Sequence, residues 1–209
     1  MHPAERNTWR QIALATAYFL ALTALVQSHA LLGFDYCSTV WLNAHGNRFM
    51  DWVMSIITDA ATPELSIVLC VALAALLWWR FGWRPAACLL AAFAAGTLLE
   101  IVLKNWVPQS GPHGLINRYV FGEGWIHIKL PYAYPSGHAF RALLLIGVMA
   151  LWVTPRVSAF WWTLAGLACI SRLYLGHHWT TDVLGGAMLA AVLLMVIGVQ
   201  VKPRETTAR

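Results

Sequence analysis

The chain has 209 residues, of which 59% are hydrophobic and only 11% charged, with a formal net charge of +5. A soluble domain carries about a quarter charged residues, so a water-exposed globular fold is excluded. The 14 basic residues stand singly between apolar runs and form no stripe, so the positive balance speaks for membrane topology and against a nucleic-acid partner.

The N-terminus places Arg6 and Arg10 before an apolar run over 12–26 and Ser28-His29-Ala30 after it, the outline of a secretory signal with a small-x-small cleavage site. The run is long for a signal, and it is read as a retained first membrane helix.

A helix needs about 20 apolar residues to cross a hydrocarbon core of about 30 Å. Six stretches approach that length, at 12–32, 64–79, 85–107, 136–153, 157–174 and 182–201, the second short enough to need its flanking tryptophans as interfacial anchors. The predicted fold is therefore all-α: one polytopic membrane domain over 1–209, with six transmembrane helices and no linker or internal repeat. A short interfacial helix is predicted between the first and second spans. There Phe49, Trp52, Val53, Ile56 and Ile57 share one helical face, while Asn47, Asp51 and Asp59 fall elsewhere.

Local signals agree with this drawing. Thr62-Pro63-Glu64 supplies an N-cap, a first-turn proline and an acid at the head of span two, Pro108 closes span three, and Pro155 separates spans four and five. Trp78, Trp79, Trp83, Trp106 and Trp179 lie near span ends and read as interfacial anchors, as does Trp125 in the loop over 108–135. Cys70, Cys88 and Cys169 lie in apolar runs, and with Cys37 they show no disulfide or zinc spacing. His2, His29, His45, His113 and His127 read as interfacial or loop residues.

Arg6, Arg10, Arg80, Arg84, Arg156, Lys202, Arg204 and Arg209 fall on one side of the drawing against Arg48, Lys104, Arg118, Lys129, Arg141 and Arg172 outside or within the spans, and of these six Lys104, Arg141 and Arg172 sit at or inside helix ends. Both termini are placed in the cytoplasm on that basis.

Ionisable groups inside membrane helices are functional candidates, and three clusters of them map to the non-cytoplasmic face. Glu100 and Lys104 stand one turn apart in the order that favours an ion pair. Pro135-Ser136-Gly137-His138 opens span four, where Ser136 can cap the helix and free first-turn amides attract an anion; Arg141 shares a face with His138. Ser171-Arg172, Gly176-His177-His178-Trp179 and Asp182 close the set. Asp182, four residues after His178, can hold one ring nitrogen and leave the other as a nucleophile. Phosphoryl transfer needs mostly positioning and charge stabilisation, which cations and backbone amides supply without a metal or other cofactor.

The order Ser-Arg, five residues, His, three residues, Asp resembles the most diagnostic motif of the type 2 phosphatidic acid phosphatase family, which shares its core with vanadium-dependent haloperoxidases. Pro-Ser-Gly-His resembles that family's second motif. The first motif, Lys, six residues, Arg-Pro, is met by Lys104 but reads Gly111-Pro112 at its end, so its arginine is missing. Arg141 or Arg118 is a candidate substitute. The likeness extends over roughly 45 to 200, with the motifs within 100–182.

The resemblance implies His178 as nucleophile, Asp182 as its orienting partner and His138 as acid for the leaving oxygen, with Lys104, Ser136, Gly137 and Arg172 holding phosphate oxygens. The implied activity is hydrolysis of a lipid phosphomonoester or diphosphate through a phosphohistidine at the periplasmic face of a bacterial inner membrane. An isoprenyl (undecaprenyl-type) diphosphate is the preferred substrate, with phosphatidic acid and phosphatidylglycerol phosphate beside it. Phosphotransfer to another acceptor, a transporter relay, and a metal site at His138, His177, His178 and Asp182 are the rival readings.

Overall fold

A computed structural model describes residues 3–59, 62–112, 115–121 and 130–200. Trp125, His2, His113, His127, Lys129, Lys202, Arg204 and Arg209 lie outside the described residues.

The described chain is helical: α1 (Pro3–Gln27), α2 (Leu32–Ala44), α3 (Arg48–Asp59), α4 (Pro63–Phe81), α5 (Trp83–Trp106), α6 (Gly137–Val148), α7 (Ser158–Tyr174) and α8 (Thr180–Gln200). A π turn over Met149–Val153 and a 3₁₀ turn over Pro155–Val157 join α6 to α7. Arg80 on α4 donates to the Val153 carbonyl at 2.8 Å, which ties this connection to the neighbouring helix.

Four helices, α1, α4, α5 and α8, are each long and apolar enough to cross a membrane, and α6 with α7 passes the same test as a pair bent by 117°. Length and composition thus mark four to five spans where the sequence drawing has six. The first arm runs only over Gly137–Val153 and the second over Pro155–Tyr174.

α6 is the central helix. Phe140, Leu144, Leu145 and Val148 pack against Leu189, Ala190, Leu194 and Ile197 of α8, with Leu77 of α4 and Leu89 of α5 closing the same core. The outer surfaces of α1, α4 and α5 expose Leu14, Tyr18, Val68, Val71 and Leu98. Apolar surface on this scale is a lipid-facing belt. Trp78, Trp79, Trp83 and Trp106 are exposed near helix ends, as interfacial anchors are.

Two departures from the sequence drawing matter for the site. The first apolar helix ends at Gln27, and a turn through His29, whose φ of 59° is left-handed, starts a separate helix α2. Two short helices, and not one, therefore join α1 to α4. No glycine or proline marks the break, and the apolar run continues through it as Ala30-Leu31-Leu32. Second, Trp179 is buried and donates from Nε1 to the Ser110 carbonyl at 2.6 Å, so it is a structural lock and not a belt anchor.

α3 matches the predicted interfacial helix. Phe49, Trp52 and Ile56 are exposed, whereas Ser55 and Thr58 are buried against the protein. Its inner side mixes these two polar residues with buried Met54. Thr62 occupies the N-cap position of α4 with Pro63 in the first turn, but its side chain makes no capping bond.

Candidate active site

Four helix ends converge: the last turns of α5 and α7 and the first turns of α6 and α8. Lys104 and Arg172 lie in the two C-terminal turns, where a cation offsets the negative end of the helix dipole. The N-terminal turn of α6 brings its first amides to the same region, whereas in α8 the Thr181 amide is already bonded to Asp35.

The first turn of α6 forms as its sequence suggests. Ser136 Oγ accepts from the Ala139 amide at 3.4 Å, and the Ser136 amide donates to the Asp182 carbonyl at 2.9 Å, joining α6 to α8. Gly186 makes this junction possible, because a Cβ there would stand 2.3 Å from the Ser136 carbonyl oxygen. Tyr134, fully buried just before the turn, bonds Thr23 of α1 through its hydroxyl at 2.9 Å.

The third motif folds around Arg172. The amides of His177 and His178 both donate to the Arg172 carbonyl, at 3.1 and 3.3 Å. Arg172 Nη1 donates to Thr58 Oγ1 of α3 at 2.7 Å. His177 packs edge-on against Tyr119, with ring centroids 5.2 Å apart.

His178 Nδ1 lies 3.2 Å from Asp182 Oδ2, and both residues are buried. With Asp182 ionised its oxygens only accept, so Nδ1 carries the hydrogen and Nε2 keeps its lone pair. Burial, and behind it the positive Arg172 and Lys104, holds the His178 imidazole well below its ordinary value. The contact is therefore a hydrogen bond from a neutral imidazole and not an ion pair. His138 stands in the electrostatic field of Arg172, Arg141, Lys104 and His177, which brings both histidines and three cations into one neighbourhood.

Asp182 is held from every side. Its Oδ2 also accepts from the Trp179 amide at 2.9 Å, and its Oδ1 accepts from Gln109 Nε2 at 2.7 Å. Gln109, buried in the loop after α5, was not singled out by the sequence. Its nearest signal is its place beside Pro108, two residues before the position where the first motif loses its arginine.

Glu100 is a bridge. Oε1 accepts from Lys104 Nζ at 3.1 Å and Oε2 from Arg141 Nη1 at 2.8 Å, so the two cations form one unit with a buried carboxylate between them. A Cβ on Gly137 would fall 1.9 Å from Glu100 Oε1, so this carboxylate lies against the first turn of α6 and only glycine fits there. Arg141 Nε is buried with no hydrogen-bond partner among the described residues.

Arg118, the other candidate for the missing arginine, is engaged elsewhere. It donates to Asp51 Oδ1 at 3.2 Å and to the Asn43 carbonyl and side chain at 2.9 and 3.2 Å. These contacts belong to a cleft between α2, α3 and the segment 115–119 that none of the motif residues lines.

A PAP2 superfamily model matches residues 85–205. Phosphatidylglycerophosphatase B of Bacillus subtilis (strain 168) is 27% identical over 191 residues, covering 86% of this chain and 89% of the relative. Human sphingosine-1-phosphate phosphatase 2 is 32% identical over 108 residues, 48% of this chain but only 25% of the human protein. The crystal structure of a transmembrane PAP2 type phosphatidylglycerolphosphate phosphatase from Bacillus subtilis aligns with a TM-score of 0.75 at 25% identity. That alignment covers 90% of this chain and 94% of that one.

Proposed function

The chain belongs to the PAP2 superfamily, and on that premise we propose that it is an integral membrane phosphatase acting on a lipid phosphate through a phosphohistidine on His178. The observation that carries the proposal is the His178–Asp182 hydrogen bond, with a neutral imidazole whose Nε2 is left nucleophilic beside buried Arg172.

In this reading the lipid phosphate enters with its oxygens held by Lys104, Arg172 and the Ser136 and Gly137 turn. Nε2 of His178 attacks phosphorus, the bond from phosphorus to the lipid oxygen breaks, and His138 protonates that oxygen so the lipid alcohol leaves. Water then attacks phosphorus, His138 takes its proton, and the N–P bond breaks to release inorganic phosphate. Arg141 enters through its pairing with Glu100 and Lys104, and its partnerless Nε makes it the stronger candidate for the role of the missing arginine.

The full-length relation to a phosphatidylglycerophosphatase favours phosphatidylglycerol phosphate as the first substrate to test. The isoprenyl diphosphate preferred from sequence rests mainly on analogy within the family and ranks second. Taking α6 and α7 as separate arms gives six spans, both termini in the cytoplasm of a bacterial cell, and the four converging helix ends at the outer face of its inner membrane.

The experiment is phosphate release by purified protein in detergent with EDTA, from phosphatidylglycerol phosphate, phosphatidic acid and isoprenyl diphosphate, for wild type and His178→Ala. Release that depends on His178 supports the reading and names the substrate. No release from any of the three overturns the hydrolase assignment.

A further inference from the structure

A chain of hydrogen bonds runs from Asp182 through Gln109 and Thr181 to α2, the helix the sequence drawing lacked. Asp35 of α2 is fully buried. Its Oδ1 accepts from the Thr181 amide at 2.8 Å and its Oδ2 from the Thr181 hydroxyl at 2.6 Å, in the first turn of α8. Ser38, one turn further along α2, bonds Thr180 at 2.6 Å, so α2 is docked on this turn at two places.

The donor directions along the chain follow from an ionised Asp35. An ionised carboxylate only accepts, so the Thr181 proton points at Asp35 and the hydroxyl lone pairs face the other way. Gln109 Nε2, at 3.0 Å from that hydroxyl, donates one hydrogen to it and the other to Asp182 Oδ1 at 2.7 Å. The amide is thereby held with its nitrogen toward Asp182, and Asp182 Oδ2 is left for His178 Nδ1 and the Trp179 amide. Reversing the first proton would leave Thr181 donating toward Gln109, turn the amide oxygen to Thr181, and withdraw a donor from Asp182.

We propose that Asp35 is a positioning residue of the active site, which acts through Thr181 and Gln109 to orient Asp182 and so fix the tautomer of His178. The catalytic meaning of this chain rests on the phosphohistidine reading; the tautomer itself does not. A buried network whose every member is satisfied in one direction is the arrangement in which a remote partner can set a proton's place.

Asp35→Asn keeps the size of the side chain but presents an NH₂ to the Thr181 hydroxyl. Expected is a fall in kcat of about 10-fold, the scale on which a partner behind an active-site imidazole acts, with KM within about twofold. Thr181→Val is expected to lose a comparable factor and Thr181→Ser, which restores the hydroxyl, to recover it. On a Gln109→Leu background Asp35→Asn should cost nothing further, because the link is already cut. Losses that multiply on that background, or a KM change with kcat intact, would overturn the proposal.

The ¹⁵N ring resonances of His178, read in detergent without any lipid, separate this idea from the reading beneath it. A single Nδ1–H tautomer in the wild type that becomes a mixture in Asp35→Asn or Thr181→Val supports the positioning role even for a protein that hydrolyses none of the lipids. An unchanged tautomer in both variants sinks it even if the phosphatase activity is confirmed.

Discussion

Glu100 holds Arg141 at 2.8 Å with one carboxylate oxygen and Lys104 at 3.1 Å with the other, at a point where α5 touches the first turn of α6. One buried anion thus sets the spacing of two cations, and its removal leaves both charges without their shared partner. Glu100→Ala is expected to destabilise the protein by about 3–5 kcal/mol, the usual cost of breaking a buried pair from one side. Thermal unfolding in detergent checks this, and a midpoint equal to wild type would show that the pair is not structural.

Gly137 and Gly186 look alike in sequence and differ in what surrounds them. A methyl at 137 meets the Glu100 carboxylate, which can move only by releasing Lys104 or Arg141; a methyl at 186 meets the backbone of Ser136, which cannot yield without moving α6. Gly186→Ala is expected to cost about 1–3 kcal/mol of stability as an overpacked junction. Gly137→Ala is expected to lower activity by more than it lowers the unfolding midpoint. Phosphate release and unfolding measured on both variants test the contrast.

Because burial lowers the His178 imidazole, it stays neutral as pH falls through the ordinary histidine range near 6.5. The sign is that acid removes the nucleophile only below its depressed value, so the acid limb of kcat/KM due to this group should lie well under 6.5. A rate profile on the free enzyme with a limb at or above 6.5 would count against His178 as the titrating nucleophile.

His138→Ala is expected to lower turnover by about 10²–10⁴-fold, the range for loss of a positioned acid and base. The loss in kcat/KM, which ends at release of the alcohol and leaves out the later water step, should be smaller on a synthetic ester with a good leaving group, such as a nitrophenyl phosphate, since that oxygen needs no proton. Equal losses on both substrates would remove the acid role.

What the sequence could reveal was local. Ser136 as a cap and the four-residue step from His178 to Asp182 are properties of single helix turns, and the structure has both. α3 was legible for the same reason, as a face repeated over 12 residues. Gln109, Thr58 and Asp35 were not, because each meets its partner 72, 114 and 146 residues away along the chain. Asp35 carried a signal that passed unused: a carboxylate at the start of an apolar stretch needs a donor, and here the donor is another helix's first turn. The break at 28–31 was hidden because the apolar run does not pause there.

α3 also inverts the usual rule for which positions tolerate change. On a water-soluble protein the exposed face varies freely among polar residues and the inner face demands apolar ones. Here Phe49, Trp52 and Ile56 face outward, and Ser55 and Thr58, the latter bonded to Arg172, face in beside Met54. Exchanges among large apolar side chains are therefore the silent ones on this helix, and a serine or threonine replaced by valine is the damaging one. A scheme that converted the greasy positions of α3 to polar ones would spare the Thr58–Arg172 bond but lose the ring contact of Trp52 with Phe121.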